Sequence, residues 1–244
     1  MADLHSELEF KFKNYPNIKH KMLRHPVFHI FLSKMTEEQT ALVEDALDDR
    51  VKLIFTNAKS GTGKTMMAVM VGYALYLDSK STKELLYVAA PVQEGTLGHT
   101  KGGIFEKEQK YMIPLYDALE ELNMTPEKVI RNDDYPEDQK DEEVWCSTKT
   151  HAYVRGSNIK NKTVIIDESQ NYTKNELKKV LTRIHDNSKV FVIGHDEQND
   201  LRDPRKSGFV PYMEHFKNEP YVRVHKLNYS FRGTISTKAD EFKW

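Results

Sequence analysis

The sequence lacks several features that mark special classes of protein. Cys146 is its only cysteine, which excludes an intrachain disulfide and a metal site built from several cysteines, and predicts a reducing compartment such as the cytoplasm. The longest apolar run, from Met66 to Leu77, is too short to span a membrane, and the amino terminus has no signal-like apolar segment. We therefore expect a soluble protein with no membrane partner.

An excess of charge of one sign is also missing. The 244 residues carry 36 Lys and Arg against 37 Asp and Glu, a net charge of −1, so no global field attracts the chain to nucleic acid. A nucleic-acid partner would have to be met by a local patch. The length is sufficient for one sizeable core, and we expect one main domain.

Two regions differ in composition. Residues 1–35 are expected to form an irregular arm or small subdomain, with Phe10, Phe12 and Tyr15 among lysines. This arm could stack bases and neutralise phosphates, or it could pack on a neighbour. Residues 36–244 are expected to form the main domain, with an exposed acidic insertion near 131–143.

Three histidines in the arm, His20, His25 and His29, are interpreted as solvated or packing side chains. Pro26 interrupts their spacing, and no acidic cluster completes a metal site.

Apolar runs alternate with helical patterns in the main domain. Runs without polar alternation are typical of strands buried on both faces, and they occur at residues 51–56, 85–90, 163–166 and 190–194. Helical spacing of apolar residues occurs from Thr36 onwards, at residues 106–122 and at residues 174–185. This alternation predicts an α/β fold with a mainly parallel sheet flanked by helices.

The stretch AKSGTGKT, from Ala58 to Thr65, fits the phosphate-binding pattern [AG]-x-x-x-x-G-K-[ST]. It lies between a strand pattern and an apolar helix, so backbone N–H groups could wrap a polyphosphate at a helix N-terminus. Lys64 would reach the β- and γ-phosphates of ATP, and the Thr65 hydroxyl would bind Mg²⁺. The predicted nucleotide-binding residues of this stretch are Ala58, Lys59, Ser60, Gly61, Thr62, Gly63, Lys64, Thr65 and Met66.

A second buried-strand pattern ends in two adjacent carboxylates, Asp167 and Glu168. Such groups face the ligand crevice at the carboxyl end of a parallel strand. Asp167 would complete the Mg²⁺ shell, and Glu168 would orient and deprotonate an attacking water, with Glu94 as the next candidate for this base. After a third strand pattern, Gln198 could hydrogen-bond the γ-phosphate or the water, or it could be a surface glutamine.

Six segments, taken in order, resemble the PhoH family of P-loop ATPases, which have a single core akin to the motor domains of superfamily 1 helicases. They are TNAKSGTGKT, APVQEGTLG, YMIPLYDAL, YVRGSNIKNKTVIIDESQN, LTRIHDNSKVFVIGHDEQNDL and PRKSGF. The similarity covers roughly residues 36–242, and the small size resembles phage-type members, which would place the protein in a host cytoplasm.

The resemblance also implies roles for single residues. Gln39 stands where helicase-like relatives have a glutamine that reads the adenine edge, and Gln198 matches the glutamine of the motif after the strand. Arg155 and Gly156 match an arginine-glycine pair of the family. Two positions depart from the pattern, since His195 replaces the usual aspartate and Ala90 the usual arginine.

The resemblance further implies a recombinase-like core and Mg²⁺-dependent ATP hydrolysis by a homo-oligomer, with a hexameric ring favoured. We expect coupling to the binding or remodelling of RNA or single-stranded DNA. The alternative is a nucleotide-dependent switch that hydrolyses slowly and does not translocate. A small-molecule kinase would need an arginine-rich lid, and the acidic insertion offers only Arg131.

One arginine is expected to act between subunits. Arg232 resembles an arginine that the family carries near its end, and we expect it to act in trans as a finger on the γ-phosphate of the adjacent subunit. Arg202 and Arg205 are the other candidates. The competing interpretation of Arg232 is a solvated arginine on a terminal helix.

Overall fold

The computed structural model describes residues 2–78, 83–90, 111–132, 140, 143–150, 154 and 156–240. Most of the predicted acidic insertion, and residues 106–110 of a predicted helix, lie outside the described residues. No helix within the described ranges has the length and apolar character needed to cross a membrane.

The amino-terminal residues are helical, so the expectation of irregular structure there is wrong. Helix α1 spans Ala2–Lys11, α2 Pro16–Lys21 and α3 His29–Lys34, with a 3₁₀ turn at Pro26–Phe28. Their buried apolar side chains belong to the same hydrophobic cluster as the helix that follows. Burial of this apolar surface stabilises three helices that are individually too short to be stable alone. The domain boundary at residue 35 stays a prediction.

Six strands form one sheet in the order β3-β2-β4-β5-β1-β6, and every pair is parallel. The strands are β1 (Leu53–Ala58), β2 (Glu84–Ala89), β3 (Cys146–Thr150), β4 (Lys162–Ile166), β5 (Lys189–Gly194) and β6 (Val222–Leu227). Strands β1, β2, β4 and β5 confirm the four predicted strands. Strands β3 and β6 were not predicted, because both are edge strands with polar residues on a partly exposed face.

The remaining helices connect the strands, as parallel pairing requires. They are α4 (Glu37–Leu47), α5 (Lys64–Leu77), α6 (Ile113–Glu121), α7 (Pro126–Val129), α8 (Lys174–Leu181), α9 (Phe209–Phe216) and α10 (Thr234–Asp240), with 3₁₀ turns at Ser169–Asn171 and Pro204–Lys206. The helix predicted from Thr36 is confirmed with Thr36 as its N-cap, although Ala41 is exposed and Val43 takes its place in the core.

Apolar residues fill both faces of the sheet, because successive side chains of a strand point to opposite sides. In β1, Ile54 joins the cluster beneath helices α1 to α6, and Phe55 joins the cluster beneath α8 and α9. The predicted fold class, a parallel α/β sheet flanked by helices, is therefore confirmed. Three of its neighbouring strands, β4, β5 and β1, bring their carboxyl ends together at one edge.

Candidate functional site

The loop between β1 and α5 curves tightly around the start of the helix. Gly61 and Gly63 have φ values of 76° and 79°, in the left-handed region that favours glycine. Gly63 is the N-cap of α5, and the first helical hydrogen bond runs from the Met67 N–H to the Gly63 carbonyl at 2.9 Å. The N–H groups of the first helical turn therefore have no partner within the helix and are available to an anion.

Gln39 braces this loop from the side of α4. Its side-chain amide donates to the Thr62 carbonyl at 2.9 Å, and its side-chain oxygen accepts from the Thr36 N–H at 3.1 Å. The residue is 4% exposed, and a Cβ on Gly63 would lie 3.1 Å from its Nε2. Both the nitrogen and the oxygen of the Gln39 side-chain amide thus form hydrogen bonds within the protein. The predicted contact of Gln39 with an adenine stays a prediction.

Thr65 and Asp167 meet at the centre of the site. The Thr65 hydroxyl donates to Asp167 Oδ2 at 3.0 Å, and the Tyr87 hydroxyl donates to the same oxygen at 2.7 Å. Asp167 is 1% exposed. A buried carboxylate beside a hydroxyl is a pair of hard oxygen ligands, which fits Mg²⁺ bound by few protein groups and by a nucleotide. No group of three or more His, Cys, Asp or Glu side chains suited to a metal occurs among the described residues.

Glu168 follows Asp167 in a left-handed backbone conformation, with φ of 48°. Burial and, to a lesser extent, the Asp167 charge raise the pKa of the Glu168 carboxyl group, while the Lys64 charge opposes the shift. The three predicted groups of the site, Lys64, Asp167 and Glu168, are therefore electrostatically coupled. A raised carboxyl pKa is characteristic of a general base that works near neutral pH.

Gln170 ties Glu168 to the end of β5. Its Nε2 donates to Glu168 Oε2 at 2.6 Å, and its Oε1 accepts from the His195 N–H at 3.0 Å. A Cβ on Gly194 would lie 2.6 Å from that Oε1, so glycine is needed there for the amide to approach. The sequence analysis missed this bridge, although Gln170 lies only two residues after Glu168.

A cavity of about 170 Å³ opens beside the two carboxylates. Its walls come from β2, the start of α6 and the end of β4, and its lining residues are Tyr87, Ala89, Ala90, Tyr111, Pro114, Asp167 and Glu168. Tyr87 was not recognised in the sequence, because it lies within an apolar strand pattern that gives no sign of its hydroxyl contact. The cavity gives small molecules access to Glu168.

A segment after β6, which we term the C-terminal strap (residues 228–232), lies on the phosphate loop. The Phe231 N–H donates to the Gly61 carbonyl at 2.8 Å, and the Ser230 hydroxyl donates to the Ser60 carbonyl at 3.2 Å. A Cβ on Gly61 would lie 2.4 Å from Arg232 Cγ. Arg232, which the sequence analysis expects to act on the adjacent subunit, thus lies against the phosphate loop of its own chain.

The other end of the strap is fixed to α4. The Asn228 backbone N–H and side-chain amide donate to the two Glu38 carboxylate oxygens at 2.8 and 2.7 Å. These bonds, led by the one from the backbone, lower the pKa of Glu38. Sequence reasoning missed this anchor, because the two residues are far apart in the chain.

The remaining predicted residues have less defined positions. Gln198 is exposed in the turn after β5, where its N–H donates to the His195 carbonyl at 3.1 Å. The Met66 side chain is buried in the core, so only its backbone can face a nucleotide. Glu94 and Arg155 lie outside the described residues. Arg202 and Arg205 are in the loop before α9, where Arg205 pairs with Asp203 at 2.8 Å.

The parallel sheet, the glycine loop at the N-terminus of α5 and the hydroxyl-carboxylate pair define a P-loop NTPase fold. A family profile described as "PhoH-like protein" matches residues 31–238. The chain belongs to the PhoH-like family, as its sequence motifs predict.

Curated relatives are similar over part of their length. Protein PhoH2 of Bacillus subtilis (strain 168) is 32% identical over 193 residues, which is 78% of this chain and 42% of the relative. Protein PhoH of Escherichia coli (strain K12) is 32% identical over 175 residues, 71% of this chain and 47% of the relative. The chain thus spans about half the length of the curated relatives it matches.

Two solved structures are similar to this chain at low sequence identity. The Hef helicase domain of Pyrococcus furiosus is 13% identical with a TM-score of 0.47, covering 81% of this chain and 39% of that one. The SWI2/SNF2 ATPase core of Sulfolobus solfataricus in complex with dsDNA is 14% identical with a TM-score of 0.43, covering 78% and 44%.

Proposed function

We propose that this protein hydrolyses ATP in a Mg²⁺-dependent reaction. The observation that carries the proposal is the 3.0 Å hydrogen bond between Thr65 and Asp167, which joins the helix after the phosphate loop to the end of β4. This contact gathers the loop lysine, two oxygen ligands for Mg²⁺ and the half-buried carboxylate of Glu168 at one edge of the sheet. Phosphoryl transfer requires this combination of positioning and charge.

The residues divide the work as follows. Lys64 and the N–H groups at the start of α5 bind the phosphates. Thr65 and Asp167 would hold Mg²⁺, which would neutralise charge on the β- and γ-phosphates when bound. Glu168 accepts the proton of the attacking water, and Gln170 keeps its carboxylate oriented through the bond to Oε2.

Arg232 is proposed to act on the nucleotide of its own subunit. Its side chain packs on Gly61 of the same chain, and the strap that carries it is fixed at both ends to the loop and to α4. Contact in cis is thus favoured over the arginine finger in trans that the sequence suggests. Gln198 is proposed to contact the γ-phosphate or the water from the end of β5.

The proposed assembly is a homo-oligomer, favoured as a hexameric ring, that couples turnover to RNA or single-stranded DNA. Membership of the PhoH-like family supports the ATPase core, and a patch at the end of α1 supports a nucleic-acid contact. There Phe10 is 74% exposed, and Lys13 Nζ lies 4.8 Å from the centre of its ring. An exposed aromatic ring with an ammonium group can stack a base and neutralise its phosphate.

The test is ATP turnover measured with Mg²⁺, alone and with RNA, single-stranded DNA or double-stranded DNA. We expect turnover that requires Mg²⁺ and rises with a single-stranded polymer. The Phe10→Ala variant should lose the stimulation and keep the basal rate, with the exposed Val210→Ala on α9 as its control. Turnover that ignores every polymer would favour a slow nucleotide switch, and no turnover under any condition would contradict the ATPase proposal.

A further inference from the structure

A second cavity lies at the opposite edge of the sheet, where the strands begin. Its volume is about 430 Å³, and it is enclosed by the end of α5, the connection from α4 to β1, the start of β5 and residues of α2. Its charged lining consists of four lysines, three aspartates and a histidine, namely Lys21, Lys52, Lys83, Lys189, Asp49, Asp78, Asp186 and His20. None of these residues has a role in the ATPase proposed above.

Two of the four lysines are buried, which is rare for lysine unless it is paired with a carboxylate. Lys21 is 6% exposed, and its Nζ donates to the Leu47 carbonyl at 2.9 Å and to Asp49 Oδ1 at 2.5 Å. Lys189 is 4% exposed, and among the described residues its Nζ donates to two backbone carbonyls, those of Asp48 at 2.7 Å and of Val51. Within the described residues no carboxylate lies within 4.0 Å of the Lys189 ammonium.

The ammonium groups also repel one another. Burial is the main cause that lowers the pKa of Lys189, to about 7, and the charges of Lys21 and Lys83 lower it further, against the opposing charges of Asp49 and Asp48. Burial likewise lowers the pKa of Lys83, whose Nζ donates to Asn161 Oδ1 at 3.0 Å. The cavity therefore concentrates positive charge that the protein itself balances only in part.

Two of the three carboxylates of the lining are exposed to water. The side chains of Asp49 and Asp186 are 84% and 97% exposed, so water screens both of them. Asp78 is the buried carboxylate, at 7% exposed. Among the described residues Lys189 is thus a buried ammonium group without an ion pair, although the charge of Asp48, whose side chain is 17% exposed, acts on it. An apolar side chain at position 189 would avoid the desolvation cost. A local conflict of this kind is typical of a binding site.

We propose that this cavity binds a compact oxyanion of the phosphate or sulfate type between the ammonium groups of Lys21, Lys83 and Lys189. Such an anion supplies the missing counter-charge. Each ammonium has three N–H donors, and the described contacts of Lys189 use two of them. Lysine is a strong donor to phosphate as a point charge. The volume exceeds that of one oxyanion, so a phosphate group on a small organic molecule also fits this chemistry.

The experiment uses the full chain with Lys64→Ala, which removes the main counter-charge of the phosphate loop and so weakens anion binding there. Sulfate is titrated calorimetrically at pH 8 and constant ionic strength in two buffers of different ionisation enthalpy. Sulfate does not change protonation at this pH, so proton uptake belongs to the protein. We expect binding with proton uptake, because the bound anion favours the charged form of Lys189. Lys189→Met should weaken sulfate binding about tenfold and remove the proton uptake, whereas His20→Gln should keep both the binding and the uptake.

A second variant keeps the proposal testable if Lys189→Met does not fold. Lys83→Gln, at a less buried position, should also weaken sulfate binding, and Lys217→Gln, an exposed lysine paired with Glu214 outside the cavity, should not. Titrations of inorganic phosphate and of glycerol phosphate distinguish a free anion from a phosphate ester. Equal sulfate affinity in the Lys83→Gln and Lys217→Gln chains, or no binding at all, would overturn the proposal. Lys64 is absent throughout, so neither result bears on ATP hydrolysis.

Discussion

The two edges of the sheet hold charges of opposite sign, carboxylates at one edge and ammonium groups at the other. At each edge like charges lie close together. At the carboxyl edge, the buried Asp167 carboxylate adjoins the half-buried carboxyl group of Glu168, and its charge disfavours ionisation of Glu168. At the amino edge, the buried ammonium groups of Lys21 and Lys189 are close enough to repel. Like charges crowded in a protein interior weaken the fold unless something of opposite sign is bound. The comparison suggests that each edge is built for a ligand, a cation with a nucleotide at one and an anion at the other.

If each edge is built for a ligand, substitutions at the carboxyl edge should lower turnover, and Glu168→Gln, which removes a charge there, should leave the fold at least as stable. Substitutions at the amino edge should change stability and its pH dependence, with turnover kept. A single site spread through the whole sheet would instead give variants that lose both properties together.

The largest effect is expected for Lys64→Ala, which should abolish nucleotide binding or turnover. Lys64 is the main counter-charge to the β- and γ-phosphates of ATP. No other lysine lies in helix α5, whose residues the structure describes in full. ATP binding and hydrolysis are the measurements, with Lys217→Ala as the matched control. Full turnover by Lys64→Ala would contradict the role of the loop.

Arg232→Ala should reduce the turnover number by about 10³–10⁵-fold if the guanidinium stabilises charge on the γ-phosphate. Mixing this variant with Glu168→Gln subunits decides which nucleotide it serves. With the arginine in cis, no subunit of the mixture has both groups, and the mixture stays inactive. With the arginine in trans, some interfaces pair an intact Glu168 with an intact Arg232, and activity returns. Light scattering should first establish that both variants assemble as the parent does.

Glu168→Gln should lower turnover by about 10²–10⁴-fold while ATP still binds, since the base is lost and the Mg²⁺ ligands remain. The same variant should have a higher melting temperature than the parent at neutral pH. Burial and the neighbouring Asp167 raise the pKa of Glu168, so its ionised form destabilises the fold once the pH exceeds the ordinary pKa of a glutamate. A lower melting temperature of Glu168→Gln than of the parent would contradict the view that both edges carry like charges that destabilise the fold.

Gln170→Leu should reduce the turnover number by about 10- to 100-fold with little change in KM, because the carboxylate of Glu168 loses its orientation. The pH profile separates this effect from a general structural one. The hydrogen bond from the Gln170 side-chain amide favours the ionised form of Glu168. Loss of this hydrogen bond should therefore raise the Glu168 pKa and move the acid limb of the pH–rate profile to higher pH. An unchanged limb would assign Gln170 a packing role only.

The sequence was a better guide to the carboxyl edge than to the amino edge, for a physical reason. Lys64, Thr65, Asp167 and Glu168 each directly follow a buried strand or begin a helix, so short contiguous patterns fix their positions. The lysines of the amino edge come from α2, the α4–β1 connection, the segment before β2 and the start of β5, and only the fold brings them together. Contacts such as that of Asn228 with Glu38 escape sequence reasoning for the same reason.

The same limit applies to the amino-terminal residues. Phe12, Ile18 and Phe28 lie among basic and other polar residues, and their spacing in short segments gives no clear period. Their burial results from packing against the core that α4 and α5 cover. Local sequence carries little of that information, since helices of this length depend on tertiary contacts.

The smallest effect concerns the pH dependence of stability at the amino edge. The folded-state pKa of Lys189 is about 7, below the ordinary value of 10.5, so above pH 7 the unfolded chain binds a proton that the folded chain does not hold. The unfolding free energy should therefore rise with pH from 7 to 8.5 by about 1.5 kcal/mol, and Lys189→Met should remove this rise. The range ends at 8.5 because burial raises the pKa of Cys146 and Tyr87, which destabilises the fold at higher pH. Urea unfolding at several pH values measures the slope, Lys217→Met is the control, and equal slopes in all three proteins would show that Lys189 keeps its charge in the folded state.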